Sequence, residues 1–203
     1  MLESLLAKWV KGFVLLGLSW SFVITVLPPL TWVRPAYAGW AVTHYYGREE
    51  ALAAALPRAT SFLPEVRVLT PDEKRRIEAK LKAPLKETYF EFWVGRGAGG
   101  ETEGYALVLD EIGKHLPITF MVALKPSGEV EDCVVMAFRE PRGGEVSQRR
   151  FLRQFRGKTS GDAIRLQDDI THVTGSTLSC RAACFVVRKA VAAYEVLMAD
   201  QAI

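Results

Sequence analysis

The part of the sequence with the clearest capacity for chemistry is a run of small and hydroxyl residues from Val173 to Ser179. Ser, Thr and Gly favour helix starts, and the apolar spacing that follows predicts a helix from about Thr177 to Met198. The first turn of such a helix presents unpaired N–H groups and the positive end of the helix dipole. A phosphate group fits there, and a threonine hydroxyl could carry it as a diester. Simple helix capping is the alternative interpretation of the same residues.

The run also resembles a family motif. Thr174-Gly175-Ser176-Thr177-Leu178-Ser179 is similar to the Ser/Thr-Gly-Ala-Thr-x-Ser/Thr motif of FMN-binding domains, which occur in the flavin subunits of sodium-pumping NADH:quinone reductase and of the Rnf electron-transport complex. The resemblance implies that FMN is bound covalently, by a phosphoester to the hydroxyl of Thr177. It also implies that a flavin transferase supplies the FMN from FAD. The cofactor-binding residues expected around the bond are Thr174, Gly175, Ser176, Leu178 and Ser179.

Two further segments extend this resemblance upstream. Phe151 to Lys158 resembles the family's Phe-x-x-Gln-Phe-x-Gly-Lys stretch, and Glu140 to Val146 resembles its Glu-x-x-Gly loop. Glycine in such a loop lets the backbone approach a bound group closely. We therefore expect the loop to lie close to Thr177, and we add Glu140, Gly143 and Gly144 to the predicted cofactor-binding residues.

The sequence departs from the family pattern at two positions. Ser176 stands where the family usually has alanine, and Thr171 stands where it favours an aspartate, six residues before the acceptor threonine. Asp168 and Asp169 lie just upstream and could supply the carboxylate from a shifted place. The substitution at Thr171 bears most directly on recognition by the transferase.

The first 38 residues have the order of a secretory signal. Lys8 and Lys11 precede an uncharged run over residues 12–33, and the small-residue triplet Ala36-Tyr37-Ala38 stands where a signal peptidase would cut. An uncleaved membrane anchor is the alternative, since about 20 apolar residues span a bilayer. Either version places the rest of the chain in the periplasm or on the outer face of the cytoplasmic membrane.

The pattern of the remaining chain predicts an α+β fold. Residues 39–86 are expected to be a helical N-terminal segment, with a capping box at Thr70 to Glu73 opening one helix. Residues 87–203 are expected to form the FMN-binding domain. Its strand-like runs between about Thr88 and Phe138 are joined by short turns, which predict an antiparallel sheet packed with helices, including the last one.

Composition excludes several other classes of function. The formal net charge of +3 gives no basic surface for nucleic acid. The three cysteines have neither the spacing of a redox dithiol nor that of a haem attachment, and the three histidines have no paired ligand spacing, so no metal site is predicted.

These observations predict an exported flavoprotein that carries covalent FMN and transfers electrons outside the cytoplasmic membrane. The expected partners are membrane-bound quinone or haem redox proteins. One alternative is a flavin-dependent reductase of a small acceptor such as a quinone, for which Glu140, Arg142 and Arg181 are the available polar groups. The other is a degenerate, flavin-free exported binding domain. No catalytic residue is assigned.

Overall fold

An antiparallel sheet of six strands forms the centre of the structure, a computed structural model that describes residues 41–199. The strands are β1 (Thr43–His44), β2 (Ser61–Val68), β3 (Tyr89–Arg96), β4 (Thr102–Ile112), β5 (Pro117–Leu124) and β6 (Val130–Phe138). They lie in the order β1-β6-β5-β4-β3-β2, and every neighbouring pair is antiparallel. The predicted α+β class and the antiparallel sheet are confirmed.

Both faces of the central strands are buried, because successive side chains of a strand point to opposite sides. Phe120 and Val122 of β5 belong to the larger core, on the side of the sheet covered by the last helix. Met121 and Ala123 of the same strand belong to a smaller core on the opposite side. This double burial explains why β5 and β6 are almost continuously apolar in sequence rather than alternating.

Four α-helices accompany the sheet within the described residues: α1 (Arg48–Ala55), α2 (Pro71–Leu81), α3 (Arg149–Leu152) and α4 (Thr177–Leu197). The predicted capping box opens α2, since Thr70 Oγ1 accepts from the Glu73 N–H and the Glu73 carboxylate accepts from the Thr70 N–H at 2.8 Å. Helix α4 packs on the larger core and against α2. Among the helices of residues 41–199, none combines the length and apolar character needed to cross a membrane.

The expectation for residues 39–86 was incomplete. Besides α1 and α2, this segment contains β1 and β2, and β2 pairs along its whole length with β3. Strand β2 lies at the edge of the sheet and contains Pro64, which has no N–H for a ladder and is tolerated mainly at edges. Its exposed Leu63 and Val66 also break the alternation that would have identified a half-buried strand. The predicted signal segment, residues 1–38, lies outside the described residues.

Candidate functional site

The amino end of α4 is the part of the site that could bind an anion. Gly175, at φ +86°, turns the chain into the helix, which begins at Thr177 and runs for 21 residues. Ser176 precedes the helix, but its hydroxyl donates to Val173 O at 3.1 Å and contacts Cys180 Sγ, so it does not cap the first turn. The first helical hydrogen bond is that of the Cys180 N–H to Ser176 O, at 2.8 Å.

Three backbone N–H groups are therefore left open at this helix end. Within residues 41–199, the N–H groups of Thr177, Leu178 and Ser179 have no hydrogen-bond acceptor. Because the helix dipole adds a partial positive charge there, the first turn favours a phosphate or another anion. Helix capping, the alternative interpretation of this run, does not describe the geometry, because no side chain caps α4.

The hydroxyl groups of the run differ in accessibility. Ser176 and Ser179 are each only 2% exposed. Thr177 is half-buried, and its hydroxyl makes no hydrogen bond within the described part of the chain. Thr174 is exposed but does not line the cavity that the others border. Thr177 is thus the one hydroxyl that is both at the cavity and accessible to an incoming group.

The loop that follows β6 packs directly on this helix end. Gly143 has φ +94°, and a Cβ built on it would lie 2.5 Å from Ser179 Oγ. The position therefore requires a residue that adopts a left-handed backbone and has no Cβ to displace Ser179. Only glycine meets both requirements. The predicted proximity of the loop to the start of α4 is confirmed.

Glu140 connects this loop to the turn between β4 and β5. Its side chain is 9% exposed, and one carboxylate oxygen, Oε1, accepts the backbone N–H groups of Lys114, His115 and Leu116 at 2.6, 2.6 and 2.9 Å. The carboxylate therefore holds the tip of the β4–β5 hairpin against the loop. The sequence predicts Glu140 as a cofactor-binding residue but does not predict this contact, which joins positions about 25 residues apart.

These elements enclose a cavity of about 640 Å³, within the range of cavities that bind drug-sized ligands. One wall carries cations from the hairpin tip and the loop, and another carries the exposed apolar side chain of Leu178. The lining residues are Lys114, His115, Glu140, Pro141, Arg142, Gly143, Gly175, Ser176, Thr177, Leu178 and Ser179. Of the nine predicted cofactor-binding residues, only Thr174 and Gly144 lie outside this lining, each beside a residue within it.

Neither aspartate upstream of the motif reaches the cavity. Asp169 accepts from Lys158 Nζ at 2.8 Å and from the backbone N–H groups of Ile164 and Arg165. Burial opposes its ionisation, but these bonds outweigh the burial and lower the pKa of Asp169. Asp168 does not line the cavity either. The idea that one of them replaces the missing carboxylate from a shifted place is wrong for this structure.

Thr171 itself is held by the upstream motif. The Gln154 side chain accepts the Thr171 N–H at 2.8 Å and donates to the Thr171 carbonyl at 3.0 Å. The segment that resembles Phe-x-x-Gln-Phe-x-Gly-Lys thus positions the backbone of the chain that leads into the hydroxyl run. This contact was not predicted. A glutamine side chain that pairs with the backbone N–H and carbonyl of a distant residue leaves no pattern in the sequence.

Comparison with known protein families agrees with this assembly. Residues 113–192 match the family model described as the FMN-binding domain. The match includes every described residue that lines the cavity, so the cavity lies within the part of the chain that is similar to this family. No curated protein matches the chain. The narrower resemblance to the flavin subunits of the two named complexes stays a prediction.

Proposed function

We propose that the chain carries one FMN, bound covalently through a phosphoester to Thr177, and that it transfers electrons outside the cytoplasmic membrane. The observation that carries this proposal is the position of the Thr177 hydroxyl. It is the accessible hydroxyl of the cavity, and it belongs to the first turn of a helix whose N–H groups have no acceptor within the described residues. A phosphate bonded there would have the helix dipole and these amides beside it.

The residues of the cavity fit the other parts of FMN as well. Leu178 is 42% exposed and provides an apolar surface for a flat ring. Lys114, His115 and Arg142 border the cavity, so the wall opposite the helix is rich in positive charge and hydrogen-bond donors. Among residues 41–199, the one carboxylate that lines the cavity is that of Glu140, and it already accepts three backbone N–H groups through Oε1. The balance of charge therefore favours a phosphorylated cofactor.

The attachment step requires FAD and a flavin transferase, as the resemblance implies. The Thr177 oxygen forms a bond to the phosphorus of the FMN half of FAD, and the bond from that phosphorus to the bridging oxygen breaks. AMP leaves with the bridging oxygen, and the threonine proton passes to a base on the transferase. No base in this cavity hydrogen-bonds to the Thr177 hydroxyl among the described residues, which agrees with activation by a separate enzyme.

Bound flavin supplies two-electron acceptance and one-electron release, and the protein binds and orients it. Covalent attachment has a physical advantage for an exported protein, because a dissociated FMN would be lost by dilution. We infer export from the signal-like order of residues 1–38, and we infer membrane-bound quinone or haem proteins as redox partners. A reductase with its own small substrate has less support, since Arg181 lines a different cavity from Glu140 and Arg142.

Coexpression with a flavin transferase tests the proposal. The exported wild type should exceed the mass of its unmodified chain by one FMN less one water, and the flavin should stay with the protein after denaturation. Thr177→Ala should lose the added mass, whereas Thr174→Ala, at an exposed threonine outside the cavity lining, should keep it.

Three results would contradict parts of the proposal. Flavin that is present but released on denaturation would overturn covalent attachment and leave FMN binding in place. An unmodified, colourless wild type beside a transferase that modifies another family member would favour the flavin-free binding domain. Flavin retained by Thr177→Ala would assign the bond to another residue.

A further inference from the structure

A second cavity lies on the side of α4 that faces α2, away from the residues assigned to FMN. It has a volume of about 510 Å³ and shares no lining residue with the flavin cavity. Its cationic lining residues are Lys82, Arg165, Arg181 and Arg188, and no carboxylate of residues 41–199 lines it. Its apolar lining includes Leu166 and Phe185. We refer to it below as the cation cavity.

The positive charges of the cation cavity are unmatched. Within residues 41–199, none of its four cationic side chains has a carboxylate within ion-pair distance. Neighbouring lysines are paired: Lys80 with Glu195 at 2.7 Å and Lys189 with Glu87 at 2.6 Å. The absence of partners is therefore a local property of the cavity and not of the whole surface.

Arg188 is the most informative of these side chains. Its Nε is buried without a hydrogen-bond partner among the described residues, and its guanidinium lies 5.5 Å from the centre of the Phe185 ring. Burial, and then the positive charge of Arg165, lower the pKa of Arg188. The partly buried Arg188 guanidinium lines the cavity without an ion-pair partner among the described residues, and an anion in the cavity would recover free energy that burial of this charge costs.

The wall that carries Arg165 is held in place by the fold. Asp169 accepts the backbone N–H groups of Ile164 and Arg165 at 3.1 and 2.9 Å. Ile164 is buried and has φ +45°, a conformation that is rare for a β-branched residue. The backbone of Arg165 is thus fixed beside α4, in the lining that it shares with Arg188.

We propose that the cation cavity binds an organic anion, with a phosphate or carboxylate group on Arg188 and Arg165 and an apolar part on Leu166 and Phe185. Arginine suits this role because its planar guanidinium donates two parallel hydrogen bonds to an oxyanion. The ligand is either a small soluble anion or the head group of an anionic lipid, since both present the same chemistry to the cavity.

Binding of phenyl phosphate and inorganic phosphate to the full-length protein tests this proposal, with titration calorimetry as the readout. Phenyl phosphate should bind about tenfold more tightly than inorganic phosphate, because its ring can cover the apolar lining. The double variant Arg165→Gln/Arg188→Gln should weaken phenyl phosphate binding at least about tenfold, since it removes charged hydrogen bonds. Arg150→Gln/Arg153→Gln, which removes the same net charge at exposed residues of another segment, should leave it within about twofold.

Vesicles distinguish the two sources of the anion. Binding to phosphatidylglycerol vesicles but not to phosphatidylcholine vesicles, lost in Arg165→Gln/Arg188→Gln, would identify a lipid head group, and binding of phenyl phosphate alone would identify a soluble anion. If phenyl phosphate and inorganic phosphate each bind this variant as tightly as they bind the wild type, the proposal is overturned, because the anions then bind elsewhere. If the double variant does not fold, Arg165→Glu, at an exposed side chain, should still weaken binding at least about tenfold, and an unchanged affinity would overturn the proposal in the same way.

Discussion

At the amino end of α4, the N–H groups of the first turn and the hydroxyl of Thr177 face a cavity without partners among the described residues. In the second half of the same helix, Lys189 and Tyr194 are buried and hydrogen-bonded. Lys189 donates to Glu87 and Glu111, and Tyr194 donates to the Pro126 carbonyl at 2.6 Å. One helix thus combines an end whose polar groups are open for a ligand with two buried side chains, Lys189 and Tyr194, that are paired within the fold.

This difference separates function from stability along α4. Buried polar groups are almost always paired in folded proteins, so the pairing of Lys189 and Tyr194 requires no further explanation. Open N–H groups at a cavity are the exception, and they are where a ligand gains most. Substitutions of Lys189 and Tyr194 should therefore reduce stability, whereas substitutions at Thr177 should remove the cofactor and leave the fold intact.

The largest loss of stability is expected from Lys189→Ala. The side chain is 5% exposed between two carboxylates that are each about one quarter exposed, and its removal leaves both without their cation. We expect a decrease of about 3 kcal/mol in the free energy of unfolding, at the low end of the usual range for a buried pair because water still reaches the carboxylates. Lys80→Ala, which breaks a pair with both side chains more than one third exposed, should cost less than about 1 kcal/mol. Urea unfolding measures both losses. If Lys189→Ala and Lys80→Ala lower the free energy of unfolding by the same amount, the predicted difference between the two ion pairs is wrong.

Gly143→Ala should have the next largest effect, and it acts at the open end. The added methyl group meets Ser179 and requires a left-handed backbone, so we expect a loss of about 2 kcal/mol together with weaker flavin binding. Gly157→Ala is the matched control, because Gly157 also has positive φ but nothing lies within 4 Å of its added Cβ. It should cost about 1 kcal/mol and leave flavin binding unchanged. Identical flavin content in the two variants would mean that the Gly143 loop does not shape the cavity.

Tyr194→Phe should produce a smaller, pH-dependent change. The lost hydrogen bond to Pro126 is expected to cost about 1 kcal/mol near pH 8. Burial, and then the neighbouring Tyr105, raise the pKa of Tyr194 from 10.0 to about 12. Because the folded-state pKa lies above the unfolded value, the contribution of this group is complete below pH 10 and is lost as the pH rises to about 12.

Thermal unfolding at several pH values checks this expectation. The stability advantage of the wild type over Tyr194→Phe should shrink between pH 10 and pH 12. An advantage that stays constant across this window would mean that the phenol is not buried as the structure has it. Burial also raises the pKa of the Cys184 thiol from 9.0 to about 12, so both proteins should lose stability in common as the pH rises above 9.

The sequence predicted the local features of this molecule well. Strands β3 to β6, the capping box at Thr70 and the start of α4 at Thr177 each depend on residues close together in the chain. The features it missed join distant positions. Glu140 holds three amides about 25 residues away, and Arg165 and Arg188 line one cavity although they are 23 residues apart in the chain. Strand β2 was missed for a different reason, since Pro64 and its exposed apolar residues obscure the strand pattern.

The assignment of the flavin bond to Thr177 is tested most directly by alanine substitution of each hydroxyl of the motif, with protein-bound flavin fluorescence measured on a denaturing gel after coexpression with a flavin transferase. The four positions are Thr174, Ser176, Thr177 and Ser179. Only Thr177→Ala should lose the fluorescent band, and it should remain folded, since loss of a hydroxyl at a helix start costs about 1 kcal/mol at most here. A fluorescent band in folded Thr177→Ala, or its loss in Thr174→Ala alone, would contradict the account.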